Sequence, residues 1–396
     1  MASRSARSSF GSVSPLDDAR AGGRPRVMLV VGARPNFIKI APVMRALRAA
    51  DAFDPMLVHT GQHYDAAMND VFFAELALPD PDVHLGVGSG SHAAQTAAVM
   101  QAIEPVIERA APALVLVVGD VNSTLAAALV AAKKGIPVAH VEAGLRSFDR
   151  AMPEEINRVL TDQIAELLFT TEQEAKRNLT REGIAAAKVF FVGNVMIDSL
   201  LHALPRAVPP ERLFARHAAG RFPSAPNGGF AAATLHRPAN VDDPDALRAL
   251  LATFGAIARR LPLVLPLHPR TARAIEQHGL APLLDRPHLL TVPPQPYLVM
   301  LGLLKGARLV LTDSGGIQEE TTGLGVPCLT LRDNTERPIT VTQGTNQVVG
   351  TEPAAILAAV EEILATGGRR GRIPPLWDGR AAERIARHLV DYFRRP

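Results

Sequence analysis

Three carboxylates stand at or just beyond apolar, β-branched runs: Asp120 after LVLVVG, Glu142 after PVAHV, and Glu154 at the start of PEEINR. Acids brought together raise one another's proton affinity, as general acid and base groups near neutral pH require. Two of them also have a structural explanation. Asp120 can cap a helix beginning near Ser123, and Glu154 beside Pro153 can complement a helix dipole from the first turn. Glu142 resists that reading, because an acid at a buried strand end is costly without a purpose. A second group of residues is cationic. His236 with Arg237, and His268 with Arg270, follow two further apolar runs. Two such pairs at equivalent strand ends favour an anion site over isolated structural histidines. Arg34, set before a Pro suited to a first helical position, either grips phosphate or is solvated, and Lys39 lies five residues on.

The segment TDSGGIQEE, 312 to 320, is the most specific single motif. A strand ends at Thr312 and a helix begins near Ile317, so free N–H groups and the positive helix end face whatever binds at Ser314, Gly315 and Gly316. Paired glycines are costly unless something approaches the backbone closely, which favours a diphosphate cradle over a turn capped by Ser314. Glu320, one turn in, is placed to reach the hydroxyls of a ribose.

These residues need a scaffold that delivers them to one edge. From Val27 the chain repeats an apolar run, a turn and a helical pattern, with runs at 27–32, 56–61, 114–120, 137–144, 167–171 and 189–194. A second series follows at 230–237, 263–270, 289–293, 308–316 and 326–332. Continuous apolar runs mean strands covered on both faces, hence parallel sheets in an α/β fold with two Rossmann-like lobes facing a cleft. Ligands in such sheets sit beyond the carboxyl ends of the strands, where the charged residues lie. The expected organisation is a disordered tail over 1–25, an N-terminal lobe over 26–197, and a C-terminal lobe over 198–378 that carries the diphosphate cradle. A terminal helix, 379–396, is expected to pack back on the first lobe.

With 396 residues, 47% hydrophobic and 20% charged, the chain can bury two full cores. A net charge of +3, without a basic stripe, argues against a nucleic-acid partner. Cys328 is the single cysteine, so no internal disulfide forms and no Cys/His zinc spacing exists, consistent with the cytoplasm. Neither a signal peptide nor an apolar membrane span is expected from these residues.

GARPNFIKIAP, TGQHYD, GDVNSTL, HVEAGLRS, MPEEINR, LHRPAN, TDSGGIQEE and TERP followed by GTN occur in this order. Together they resemble the non-hydrolysing UDP-N-acetylglucosamine 2-epimerase family from about Val27 to about Leu389. The resemblance implies a fold like that of the GT-B glycosyltransferases, a homodimer, and neither metal nor organic cofactor. It implies reversible epimerisation of UDP-GlcNAc to UDP-ManNAc, by loss of UDP to a 2-acetamidoglucal and re-addition, in polysaccharide biosynthesis. Position by position, it makes Asp120, Glu142 and Glu154 the acid/base carboxylates, with Lys39 and His236 beside them. Arg34, Arg237 and His268 join Ser314, Gly315 and Gly316 on the substrate, with Glu320 on the ribose and Arg337 near the sugar. Gln62, His63 and Gln95 correspond to a region that binds a second, activating UDP-sugar in bacterial relatives. Departures are Ala239, where many relatives carry Glu, and Asp65 and Ala94, where relatives with that activation carry Gln and Arg. The competing readings are a glycosyltransferase of the same architecture, which would need an acceptor, and a non-catalytic UDP-sugar sensor.

Overall fold

A computed structural model describes residues 23–62, 73–217 and 228–394. The tail expected over 1–25 falls outside these residues up to position 22, as do His63 and Asp65.

The first sheet contains β1 (Arg26–Val31), β2 (Asp54–His59), β3 (Val83–His84), β4 (Leu114–Val118), β5 (Val138–Val141), β6 (Leu167–Thr170) and β7 (Val189–Phe191). Its strand order is β3-β2-β1-β4-β5-β6-β7, and neighbouring strands pair in parallel. The second contains β8 (Ala231–Thr234), β9 (Leu263–Pro266), β10 (Leu289–Val292), β11 (Leu309–Thr312), β12 (Cys328–Thr330) and β13 (Asn346–Val348). Its order is β10-β9-β8-β11-β12-β13, again parallel. The apolar runs read from the sequence supply eleven of these strands. Sequence reading passed over β3 and β13, two and three residues long, because neither carries a run of apolar residues.

In each sheet the strand order reverses beside the first strand, between β1 and β4 and between β8 and β11. The loops there diverge to opposite faces and leave a crevice. The residues just past β1 and β4 include Arg34 and Asp120, while those past β8 and β11 include His236 and Ser314. Topology therefore aims the two sets of charged side chains at the places where parallel sheets bind ligands.

The helix Ala381–Phe393 packs against the first-lobe helix Arg34–Ala50 and shares its core through Ile385 and Leu389. Its N-terminus is held from outside: Asp198 accepts hydrogen bonds from the Ala381 and Ala382 amides at 3.1 and 2.7 Å. A carboxylate cap of this kind contributes about 1 kcal/mol. Trp377, just upstream, is buried and donates its indole N–H to the Thr171 carbonyl at 3.1 Å.

Candidate active site

Glu142 follows β5 directly and sits in the left-handed region of the backbone, with φ of 76°. For a residue with a side chain that conformation costs on the order of 1–2 kcal/mol, and it persists only where neighbours force it. Here the Glu142 and Ala143 amides both donate to the Phe169 carbonyl, at 3.0 and 3.1 Å. Gly144 comes next, with φ of 80°, packed so closely that a Cβ would lie 2.4 Å from the Ala175 carbonyl oxygen. The carboxylate of Glu142, 4% exposed, meets Lys39 Nζ at 2.6 Å and Arg337 Nη2 at 2.6 Å. Lys39 belongs to the helix after β1, whereas Arg337 lies in the second lobe, so this ion pair crosses the cleft.

Arg337 has a second acid. Its Nε lies 2.9 Å from Glu319 Oε1 as an ion pair, and that oxygen accepts a hydrogen bond from Asn194 Nδ2 at 2.9 Å. Burial pushes the Glu319 carboxyl up to about 7 despite the opposing Arg337 charge. Nearby Glu172, 2% exposed, is pushed up to about 8, again by burial first, with Arg337 pulling the other way.

Asp120 behaves differently. Burial alone would raise its carboxyl, but Arg158, Lys39 and Arg337 outweigh it and hold Asp120 well below the usual carboxylate range. Arg158 Nη2 contacts it at 2.5 Å and reaches Glu155 at 2.6 Å through Nη1. The expected mutual raising among the acids thus fails at Asp120, because cations stand between them. Asp120 does not cap the following helix either; Val121 holds the cap position without a side-chain bond. Glu154 is half-buried at the second position of the helix Pro153–Ile164, and no hydrogen bond or ion pair ties it to another described residue. The structure links Asp120 and Glu142 through intervening cations and leaves Glu154 outside that network.

At the second crevice, Asp313 is fully buried and accepts hydrogen bonds from the His236 and Arg237 amides, each at 2.9 Å. His236 Nδ1 lies 2.8 Å from the same carboxylate, so the Nδ1–H points to Asp313 and Nε2 remains for a ligand. The His268 ring lies 5.5 Å from that of His236. Loss of hydration, then the charges of His236 and Arg34, bring His268 down to about 4, so at neutral pH it is an uncharged ring. Arg270 is paired with Asp242.

The helix at the head of the glycine motif begins at Gly315, two residues earlier than the sequence indicates. Ser314 occupies the cap position without making a side-chain bond, against the simple capped-turn explanation. A Cβ on Gly315 would lie 2.6 Å from Glu336 Oε1, a close approach by protein, whereas at Gly316 it would meet only Met196 Cε at 3.4 Å. Glu336 is held down at about 2, because Arg337, Arg332 and Arg237 together overcome its burial. Arg237 Nη2 reaches it at 3.3 Å. Glu320 is buried and raised to about 7 by desolvation, with Tyr297 pulling it down.

Gln62 and Gln95 lie together. Gln62 Oε1 accepts from the Ser123 amide and hydroxyl at 3.1 and 2.7 Å, and Gln95 Nε2 donates to the Gln62 carbonyl at 3.2 Å. Asn122 Nδ2 closes the set on Gln95 Oε1 at 2.9 Å. Among the described residues no cluster of His, Cys, Asp and Glu could hold a metal ion. Sequence reasoning gave no functional role to Arg158, Glu172, Asp313 or Glu319. Arg158, Asp313 and Glu319 lie inside the motifs MPEEINR and TDSGGIQEE, whereas Glu172 carries no motif at all.

Two parallel sheets with charged residues converging from both switch points define a two-lobed protein of the GT-B type. A sucrose-phosphate synthase of Thermosynechococcus elongatus shares that fold, with a TM-score of 0.58 at 15% identity over 94% of this chain and 98% of that one. A sequence model of the family described as UDP-N-acetylglucosamine 2-epimerase matches residues 45–390, and the chain belongs to that family. It is 43% identical over 369 residues to a UDP-N-acetylglucosamine 2-epimerase of Methanocaldococcus jannaschii, covering 92% of this chain and 99% of that protein. It is 42% identical, over the same length and shares, to a UDP-2,3-diacetamido-2,3-dideoxy-D-glucuronate 2-epimerase of Pseudomonas aeruginosa. The crystal structure of the M. jannaschii UDP-GlcNAc 2-epimerase in complex with UDP-GlcNAc and UDP superimposes with a TM-score of 0.85 at 42% identity, covering 92% and 99% of the two chains.

Proposed function

We propose that this chain interconverts UDP-GlcNAc and UDP-ManNAc. The observation that carries the reading is Glu142, a buried carboxylate on a strained turn, gripped by one cation from each lobe. Strain of that kind is retained where it serves a site.

The C2 hydrogen of a pyranose is scarcely acidic, so departure of UDP must accompany its removal. As the C1–O bond breaks, its electron pair leaves with the diphosphate, where Arg34, His236 and the amides at Ser314, Gly315 and Gly316 oppose the growing charge. A carboxylate takes the C2 proton, the C1=C2 bond forms, and 2-acetamidoglucal stands beside UDP. Return of a proton to the opposite face of C2, with the UDP oxygen re-adding at C1, completes the inversion. Asp120, Glu142 and Glu154 are assigned to the proton transfers, with Lys39 beside them. Arg237 and His268 serve the substrate's anionic part, Glu320 the ribose and Arg337 the sugar. Arg337 Nη1 has no hydrogen bond among the described residues, which supports a donor kept for substrate. The burial of Glu142 and Lys39 supports a water-poor site, which protects a glycal from interception.

The lobes are taken as 26–197 and 198–378, with 379–396 returning to the first, and the packing of the last helix on Arg34–Ala50 supports this. A homodimer in the cytoplasm, serving polysaccharide biosynthesis, completes the reading. Ile156 and Leu160, 42% and 47% exposed one helical turn apart, are side chains that a second copy would cover. Sedimentation velocity showing only monomer would remove that part. Among the described residues no helix is long and apolar enough to cross a membrane.

Proton NMR of the protein with UDP-GlcNAc alone in deuterated water tests the activity. Deuterium at C2 and a growing ManNAc signal are expected without any acceptor. A requirement for an acceptor would mean a glycosyltransferase, and binding without exchange would mean a sensor. The P. aeruginosa relative keeps a diacetamido-uronate as a second substrate reading, and including that UDP-sugar in the assay decides between them.

A further inference from the structure

Among the described residues, Arg337 is the one that contacts both Glu142 across the cleft and Glu319 in its own lobe, at 2.6 Å through Nη2 and 2.9 Å through Nε. A guanidinium has a fixed fork geometry, so a stronger hold on one side weakens the other. We propose that Glu319 is a positioning residue that toggles Arg337 between its own lobe and Glu142, and thereby governs how readily the cleft admits substrate. The proposal rests on the reading of this cleft as a nucleotide-sugar site.

The groups facing Glu319 make the toggle responsive to protons. From the first lobe come Glu142 after β5, Lys39 on the first helix, Glu172 after β6, and the amide of Asn194. From the second lobe come Arg337 and the neighbouring Glu320. Three of these acids, Glu142, Glu319 and Glu172, stand against two cations, Lys39 and Arg337, and all five are buried. Glu172, pushed up to about 8, keeps its proton longest, so Glu319, pushed up to about 7, is the acid that changes charge near neutrality. When Glu319 is protonated, Arg337 binds Glu142 alone and the lobes are latched. When the proton leaves, the Glu319 carboxylate draws Arg337 back, and both Arg337 and Glu142 become available to an incoming sugar. The neutral form therefore belongs to low pH and the open cleft to high pH, with the change centred near 7, where the Glu319 carboxyl is poised.

The test is the pH dependence of KM and kcat for UDP-GlcNAc in the wild type and in Glu319→Gln. Glutamine keeps the acceptor for Asn194 but never carries the charge that holds Arg337. Expected in the wild type is a KM that falls by roughly tenfold as pH rises through 7, with kcat much less affected. Glu319→Gln should hold the high, low-pH KM at every pH. A variant that keeps the wild-type KM profile, or that loses kcat with KM unchanged, overturns the proposal. Should the glutamine variant fail to fold, Glu319→Asp serves: its shorter reach weakens the pull on Arg337, so its high-pH KM must exceed the wild-type value, and an unchanged KM profile overturns the idea. Small-angle scattering of the ligand-free protein separates this from a wrong substrate. The wild type should expand between pH 6 and 8 while Glu319→Gln stays compact, whichever sugar nucleotide is turned over. No difference between them overturns the toggle.

Discussion

Glu142→Gln is expected to slow C2 hydrogen exchange with deuterated water by on the order of a thousandfold, the loss typical of removing a positioned acid or base. Glutamine fits the space and can still accept one hydrogen bond, but it cannot take a proton from carbon at any useful rate. The substitution also leaves Lys39 and Arg337 facing each other with one fewer negative charge between them. A buried pair broken from one side typically loses about 3 kcal/mol or more. Exchange should therefore be followed beside a urea unfolding curve, so that lost chemistry is not confused with lost protein. A folded variant exchanging at the wild-type rate would remove Glu142 from the reaction.

The second large effect is expected at Arg337. Arg337→Met keeps most of the volume and removes the guanidinium that joins Glu142 to Glu319, so two buried acids lose their shared cation. Glu142 retains Lys39, and Glu319 retains Asn194. A loss of about 3–5 kcal/mol in urea unfolding is expected from the uncompensated buried charge. Because one end of the pair lies in each lobe, activity should fall even in the folded fraction, through a raised KM. Arg337→Lys should restore little, since a single ammonium cannot present two donors in fixed geometry to acids on opposite sides. A lysine variant with wild-type stability and KM would show that the bridge is dispensable.

Much of this arrangement was legible from residue types. Strands buried on both faces must be apolar along their length, so runs such as LVLVV and VAHV announce themselves, and polar residues stop them where the backbone reaches the sheet edge. That is how Asp120, Glu142, His236 and Ser314 could be picked out without coordinates. The short edge strands Val83–His84 and Asn346–Val348 escaped because pairing with a neighbour, rather than composition, makes them strands. Glu172 escaped for a related reason. It follows LLFTT as an unremarkable loop acid, and becomes notable only when folding removes water from it and sets it near Glu319 and Arg337.

The family motifs named the participants, but the sign and size of each perturbation lay in distances between segments far apart in the chain. Sequence spacing grouped three acids and expected them to raise one another. In the folded chain Arg158 and Lys39 intervene, holding Asp120 low, while Glu319 and Glu172, outside that trio, are raised.

By itself the amino-acid order determined the two parallel sheets, the edge at which charged groups collect, and the family. It did so because hydrophobic period and turn chemistry are local and are written residue by residue. Which acid is paired with which cation, and that Arg337 reaches 195 positions back to Glu142, was decided only by the tertiary structure. Coulomb and desolvation energies depend on separation and burial in space, and neither quantity exists until the chain has folded.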